Sequence, residues 1–479
     1  MDDESLTRRF GISQTSSSSD GVQTKKTRPI DDFTESLINL TNSTSEKIDI
    51  HSVDVILASI LMRLRLSSFE RKELCAKAID LRKAYKQLPL SEAALRDGNL
   101  AVLNPGTGKP EAFKCYVLPF GARAAVQAFC RCSHALWFAG VALFGLHWTC
   151  YFDDFLIIEE KEICRHTAMV AECFFKLLGW STSEEKDAGF LSVARVLGVC
   201  IDLTDSRSGI VSTYNTEARR LELISFIDGL LERGHFGKGE LATLRGRLLF
   251  AENQIFGKGC TVYVRILSWY VESYVCGAVD KELSFVLSML RDRISLGKPR
   301  SVCEATIPVV HVYSDACFEL DGKAGIGGVV VDQYGSCIAH FGYWLTPEEI
   351  GAININNTST IIAELETLAV LISLKTFSSY LAGNDVVVFC DNSAALASLI
   401  SGRSSNDWMM RIIQSVFMWE DDNVIGLWYE RVPSHANIAD APSRGDYSML
   451  VGSKRFDVSV LETLKDIPHL KKLTWGVSD

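Results

Sequence analysis

Three carboxylates stand in apolar segments where a carboxylate is costly, and four more stand at the ends of elements in the last third. Asp80 closes the apolar entry of AIDLRKAYKQLPL, and Asp153 with Asp154 lies between the hydrophobic flanks of YFDDFLII, like the tip of a hairpin. In the last third, Asp315 follows HVYS, Glu366 lies in AELETLAVLISL, Asp391 follows VVVFC and Asp440 sits in NIADAPSR. An unpaired carboxylate in an apolar segment is expensive to bury, and a cation removes that cost. Asp80 taken alone also fits a solvated strand end. Hard divalent ions such as Mg2+ or Mn2+ take a few carboxylates together with phosphate oxygens. Two such ions about 3.5–4 Å apart activate an attacking hydroxyl and stabilise a leaving oxygen in phosphoryl transfer. That chemistry predicts two gatherings: the first three acids in one place and the last four in another, with two ions in each.

The elements that must do the gathering show in the periodicity. Residues 1–24 read as a flexible leader, rich in Ser and Asp, followed by the basic cluster KKTRPIDDF. Helical spacing runs from Val53 to Arg65, and an apolar segment from Leu74 to Leu81 leads into Asp80. NPGTGK is a turn, FKCYVLPFG is strand-like, and a helix is predicted from Ala124 to Leu136. The apolar run Ala135 to Cys150 falls short of the roughly 20 residues of a membrane span and predicts a buried helix and strand. Ala171 to Gly179 is helical, Thr216 to Tyr274 reads as helices with a turn at Gly234 to Gly239, and GKPR reads as a linker. From Pro308 the pattern becomes three strands, a helix from Thr358 to Thr376, the strand DVVVFCD, two helices and the strand VIGLWYERV. That order predicts an α/β domain carrying acids at its strand ends.

Composition admits this reading. The 479 residues are 47% hydrophobic and 23% charged, which is globular and excludes a fibrous or disordered chain. Fourteen cysteines without a CxxC pair predict reduced thiols rather than a zinc module or a disulfide framework. The N-terminus has no apolar core of a signal peptide, so the expected setting is intracellular, cytoplasmic or nuclear, with no membrane partner. The net charge of −10 is uneven: residues 204–300 hold 14 Lys and Arg against 11 acids, whereas 305–446 hold 6 against 17. A nucleic-acid surface upstream is therefore compatible with the acidic mean.

In order and content these motifs resemble the reverse transcriptases of retroelements, in the style of gypsy and DIRS-like elements. DLRKAYKQLPL resembles their first catalytic motif, LPFGARAAVQAF the Gly-containing motif beside the nucleotide, and YFDDF the Tyr-x-Asp-Asp hairpin. LLGWSTSEEKD resembles the next Gly and Lys motif, and VLGV the primer-grip strand. The resemblance implies that Asp80 and Asp153 hold metal with Asp154 beside them, and that Tyr151 touches the primer. It makes Tyr85 a steric gate against a 2′-hydroxyl, although an ordinary core tyrosine also fits. Phe120 and Gly121 would lie against the incoming nucleotide, since glycine admits a close backbone approach. Lys186 would protonate pyrophosphate, or else belong to a solvated charge run. Arg28, with Lys25 or Lys26, would contact the triphosphate. Arg245, Arg247 and Lys258, in a segment similar to the helical thumb, would track backbone phosphates; the surface of a helical bundle explains them equally well. The family usually has a longer fingers region ahead of the basic cluster.

The last third resembles ribonuclease H through SDA, DNSAAL and ADAPSR taken together. The resemblance implies Asp315, Glu366, Asp391 and Asp440 as metal ligands, with Glu364 the alternative to Glu366. His435 resembles a mobile histidine that helps release product, or caps a turn. Asn392 would contact an RNA 2′-hydroxyl or cap the helix that begins there. The predicted architecture is an α+β multidomain chain, a right-hand polymerase followed by an α/β ribonuclease H-like domain. Its expected parts are leader 1–24, partial fingers 25–78, palm 79–204, thumb and connection 205–300, ribonuclease H-like domain 305–446 and tail 447–479. The resemblance implies an RNA template, a DNA primer, an RNA/DNA hybrid and deoxynucleoside triphosphates as partners. Two other functions stay open: a non-catalytic nucleic-acid scaffold, and ribonuclease H as the only activity.

Overall fold

The computed structural model describes residues 6–17, 23–43, 47–66, 71–183, 187–304, 307–354 and 360–467, with backbone alone for 14–17 and 23–26. Its chain forms two compact units of mixed α/β structure, Met1–Ser212 with Val302–Glu304, and Thr213–Ser301 with Ala305–Asp479.

At the centre of the first unit is a three-stranded antiparallel sheet in the order Leu74–Asp80, Asp154–Glu160, Trp148–Tyr151. The run FLII is apolar throughout because both faces of its strand are covered. Phe155 and Ile157 join a core with Phe129, Phe174 and Phe175 from the helices Arg123–Phe144 and Cys164–Leu177. Leu156 and Ile158 join Leu74 and Ala76 against Ile56, Leu57 and Ile60 of the helix Val53–Leu66. Alternation of side chains along a strand thus feeds two cores from one sequence. The helix at Arg123 runs to Phe144, past the expected end at Leu136, and Gly145 at φ +65° closes it. Within it Gly140 is required by close approach, since a Cβ there would fall 2.1 Å from the Trp148 ring.

The leader expectation is corrected. Leu6–Ser17 is a strand, antiparallel to Gln23–Asp31 and parallel to Asn99–Leu103, in a four-stranded sheet completed by Pro110–Lys114. The polar Ser- and Asp-rich composition hid it, because its ladder is made by backbone groups. The expected linker GKPR runs into structure: its last residue opens the strand Arg300–Cys303, after which Glu304 holds Arg71 at 2.6 Å while its N–H donates to Gly209 O.

In the second unit a six-stranded sheet runs in the order Leu427–Arg431, Asp385–Cys390, Val309–Phe318, Ala324–Val331, Cys337–Trp344, Lys454–Arg455. Every residue of Ala324–Val331 is buried, because the helix Ile362–Thr376 packs against this part of the sheet and the short helix Asp440–Ser443 also lies on it. The second approach needs glycine: a Cβ on Gly325 would fall 2.1 Å from Ser443 O, and one on Gly327 2.5 Å from Ser443 N. Residues after 446, expected as a tail, include the strand Lys454–Arg455 and the helix Val460–Asp466, whose Val460 and Leu464 enter the core.

Four helices, Glu217–Arg233, Glu240–Glu252, Thr261–Ser273 and Lys281–Leu296, precede the sheet in this unit. They share one continuous hydrophobic core with it, from Leu223 to Ile467, instead of standing apart as a thumb. The join is also ionic: Arg293 donates to Glu252 at 3.0 Å and to Asp421 of the helix Asp407–Asn423. Gln414 Nε2 donates to Gly259 O at 2.8 Å.

Candidate functional site

In the second unit, Asp315 comes from the central strand Val309–Phe318, Glu366 from the helix Ile362–Thr376, and Asp391 from the residue after the strand Asp385–Cys390. One ligand oxygen from each lies within 4.8 Å of the others. Asp315 and Glu366 are each 3% exposed. Burial, then the charges of Asp391 and Asp440, pushes the Asp315 carboxyl up to about 7, opposed by a hydrogen bond from Ser443. Burial, with Asp315 and Asp391 adding to it, pushes Glu366 up to about 9. Burial is the largest cause for both acids, and Arg444 opposes it at Asp315. The donor set is hard oxygen throughout, which fits Mg2+ or Mn2+ and suits softer metals poorly.

Of the two glutamates of this helix, Glu366 lies in the group of three. Glu364 accepts from Asn406 Nδ2 at 2.6 Å and does not join the group of three. Asp440 is near enough to raise Asp315, yet it is half exposed and ion-paired to Arg444 at 3.1 Å. His435 is exposed on the short turn Ser434–Ala436, ahead of the helix Asp440–Ser443. Asn392 is a helix cap: its Oδ1 accepts from the N–H groups of Ala394 and Ala395, both at 3.0 Å.

Two residues that the sequence reading passed over hold Asp315. Asn437 Nδ2 donates to Asp315 Oδ1 at 3.1 Å and to Ser314 O at 3.0 Å. Ser443 Oγ donates to Asp315 Oδ2 at 2.7 Å. Their signal was present in NIADAPSR, whose polar residues flank the acid, and in GIGG, whose glycines let that segment reach the strand.

In the first unit, Asp80 and Asp154 are direct cross-strand partners, and Leu81 N donates to Asp153 O at 3.2 Å. The backbone thus brings Asp80 to the Asp153–Asp154 turn at one end of the sheet, although 73 residues separate Asp80 from Asp153, but the three do not form a group with ligand atoms within 4.8 Å of one another as the acids of the second unit do. Ser183 Oγ donates to Asp80 Oδ2 at 2.7 Å. The hairpin turns at Phe152, whose φ of +53° is costly for a bulky residue, and Tyr151 pairs with Asp154. Tyr85 stacks on Phe129 at 4.6 Å and meets Phe120 edge-on at 5.8 Å. Its hydroxyl is pushed up to about 12 by burial, then by Cys130 and Asp153.

Phe120 is 46% exposed, and Gly121 has φ +125° with its Cβ position 2.2 Å from Asp31 O, so that bend admits only glycine. Asp31 in turn is held by Arg9 through two bonds at 2.6 and 3.0 Å, so the presumed leader supports the LPFG turn. Buried Asn39 ties the same turn to the following helix, donating to Gly121 O and accepting from Arg123 N. Arg28 is exposed on its strand. Lys186 lies outside the described residues, as does the side chain of Lys26.

The three cations expected along a thumb have other neighbours. Arg245 pairs with Glu272 at 3.7 Å, Arg247 with Glu222 at 2.6 Å, and Lys258 lies 5.7 Å from the centre of the Phe417 ring.

No protein-family model and no curated protein matches the chain. Among solved structures it is similar to a foamy viral protease-reverse transcriptase dRH in complex with double-stranded DNA, at TM-score 0.46 and 16% identity over 88% of this chain and 66% of that one. The foamy viral protease-reverse transcriptase with an RNA/DNA hybrid follows, at TM-score 0.46 and 14% identity over 91% of this chain and 51% of that one. The same protein with double-stranded DNA gives TM-score 0.44 and 14% identity over 89% and 80%. A likeness at this level assigns no function, and the chain spans between half and four fifths of those proteins.

Proposed function

We propose that this chain is an RNA-directed DNA polymerase with a ribonuclease H activity, of the kind found in retrotransposons, and that both reactions are two-metal phosphoryl transfers. The observation that carries the reading is the cluster of buried Asp315 and Glu366 with half-buried Asp391, whose ligand oxygens lie within 4.8 Å of one another. Asp440 completes the set from the short helix at Pro442. The register that brings Asp80 to Asp154 supports the second site.

Bound at these acids, divalent cations would supply charge neutralisation and Lewis-acid activation of a phosphodiester. The chain's own residues do the rest. Asn437 and Ser443 orient the Asp315 carboxylate through one bond to each oxygen. Buried Glu366 excludes water from the inner side of the cluster, and half-exposed Asp440 forms its outer edge. In the first unit Tyr85, backed by Phe129, occupies the volume that a ribose 2′-hydroxyl would need, which selects deoxynucleotides. An intracellular setting belongs to the proposal, and all fourteen cysteines are free thiols. No helix of the described residues is long and apolar enough to cross a membrane.

The test is one end-labelled RNA/DNA hybrid scored for primer extension and for RNA cleavage, with and without Mg2+. Asp391→Asn should abolish cleavage and spare extension, and Asp80→Asn should do the reverse. A parent that binds hybrid but performs neither reaction would replace the enzyme with the scaffold.

A further inference from the structure

In the three-stranded sheet of the first unit, Trp148–Tyr151 is an edge strand, and it leads directly into the Phe152 turn with Asp153 and Asp154. His147 O accepts from Ile158 N of the neighbouring strand, so alternation turns the backbone groups of Trp148 and Cys150 outward. Side chains and a loop take the place of a further strand there. Trp148 O accepts from Trp137 Nε1 at 2.8 Å. Cys150 N donates to His51 Nδ1 at 3.0 Å, and Cys150 O accepts from His51 N at 3.3 Å. His51 thus clasps both outward groups of the last edge residue before the turn, three residues ahead of Asp153.

The half-buried imidazole is set by its neighbours. It meets the Trp137 ring edge-on at 4.7 Å and stacks on His134 at 5.7 Å. A ring that accepts from Cys150 N carries its proton on Nε2 and a lone pair on Nδ1; imidazolium has N–H at both nitrogens and would face the amide donor to donor. Burial, then His134 of the helix Arg123–Phe144, holds His51 below its ordinary value of 6.5, opposed by Asp49 of its own segment. The Cys150 thiol stays neutral, pushed up to about 12 by burial and then by Cys130. The clasped state therefore binds fewer protons than the released one, and it weakens as the pH falls below 6.5.

We propose that neutral His51 is a positioning residue that clasps the strand leading into YFDD, and that its protonation opens the clasp and lowers DNA synthesis without touching RNA cleavage. The proposal deepens the polymerase reading and rests on it for the effect on synthesis. The clasp itself rests on the contacts alone.

The experiment follows amide exchange at Cys150 in the full chain carrying nitrogen-labelled cysteine, corrected for intrinsic exchange, between about pH 5.5 and 7.5. Primer extension and RNA cleavage on one hybrid are scored across the same range. Parent protection at Cys150 should fall by up to about tenfold per pH unit below 6.5, since release takes up one proton. His51→Asn supplies an oxygen acceptor that does not titrate, so its Cys150 protection should stay level. Its extension should match the parent at neutral pH and exceed it by up to about tenfold one unit below 6.5, while its cleavage tracks the parent throughout. His51→Ala, folded by thermal melt, should show low protection and slow extension at every pH. Equal Cys150 protection at both ends of the range in the parent overturns the clasp, as does a His51→Asn chain whose extension is as acid-sensitive as the parent's. A loss in His51→Ala shared equally by extension and cleavage would make His51 merely structural and overturn the positioning role. Protection that moves as stated in a parent that extends no primer in Mg2+ would sink the polymerase reading and leave the clasp standing.

Discussion

Raising the pH without divalent ions should destabilise the second unit, the reverse of what paired carboxylates do. Asp315 is held near 7 and Glu366 near 9 in the folded chain, against ordinary values close to 4 in an unfolded one. Between those limits the folded state binds more protons than the unfolded state, so stability falls as pH rises. For Asp315 the loss accumulates from about pH 4 to about pH 7, and for Glu366 it continues to about pH 9. The Asp315 displacement alone corresponds to on the order of 4 kcal/mol. Mg2+ binding only the folded cluster should return about 2.7 kcal/mol at a concentration one hundredfold above its Kd. The readout is hydrogen exchange at Val312, Val330 and Val388, core strand amides of this unit, corrected for intrinsic exchange. Protection should fall from pH 5.5 to 8.5 and recover with Mg2+, whereas in Glu366→Gln it should fall only to about pH 7, where Asp315 finishes titrating, and then level off. Protection that rises with pH in the metal-free parent, or a Glu366→Gln chain as pH-sensitive as the parent, would refute the electrostatic argument and the cation site with it.

Ser443→Ala and Asn437→Ala should each weaken Mg2+ binding by about 10- to 100-fold, read by calorimetric titration, while Ser443→Thr restores most of it. Equal metal affinity in all three would reduce these residues to packing. Phe152→Gly should stabilise the first unit by about 1 kcal/mol in urea titrations, because glycine takes the positive φ without steric cost. A loss of stability there would mean that ring contacts outweigh the backbone strain. Gly327→Ala should cost roughly 1–3 kcal/mol by forcing the Asp440–Ser443 helix off the sheet, and cleavage should fall with it; a variant with parental stability would show that the helix sits less tightly than its contacts indicate.

The acids themselves were legible in the chain. YFDD between apolar flanks, an isolated Asp80 after a strand, and single acids at the ends of VVHVYS and VVVFC are local signals, because a strand's burial and its end are written within a few residues. The order of elements in the last third follows from the same periodicity. Local pattern is silent about partners distant in sequence. Glu364 and Glu366 lie in one helix, and only the packing of that helix turns Glu366 toward Asp315 while Asn406 claims Glu364. Arg9 and Leu6–Ser17 read as leader because a backbone ladder leaves no composition signal, yet they secure Asp31 and through it the LPFG turn. The helices from Thr216 onward read as a separate thumb. Their apolar faces are as compatible with each other as with the Asp407–Asn423 helix, and only close packing of the whole unit, with Arg293 between Glu252 and Asp421, selects the shared core. Burial tells a residue to leave water, whereas its neighbour depends on shape and charge complementarity across the fold, and that becomes definite only when the chain has closed on itself.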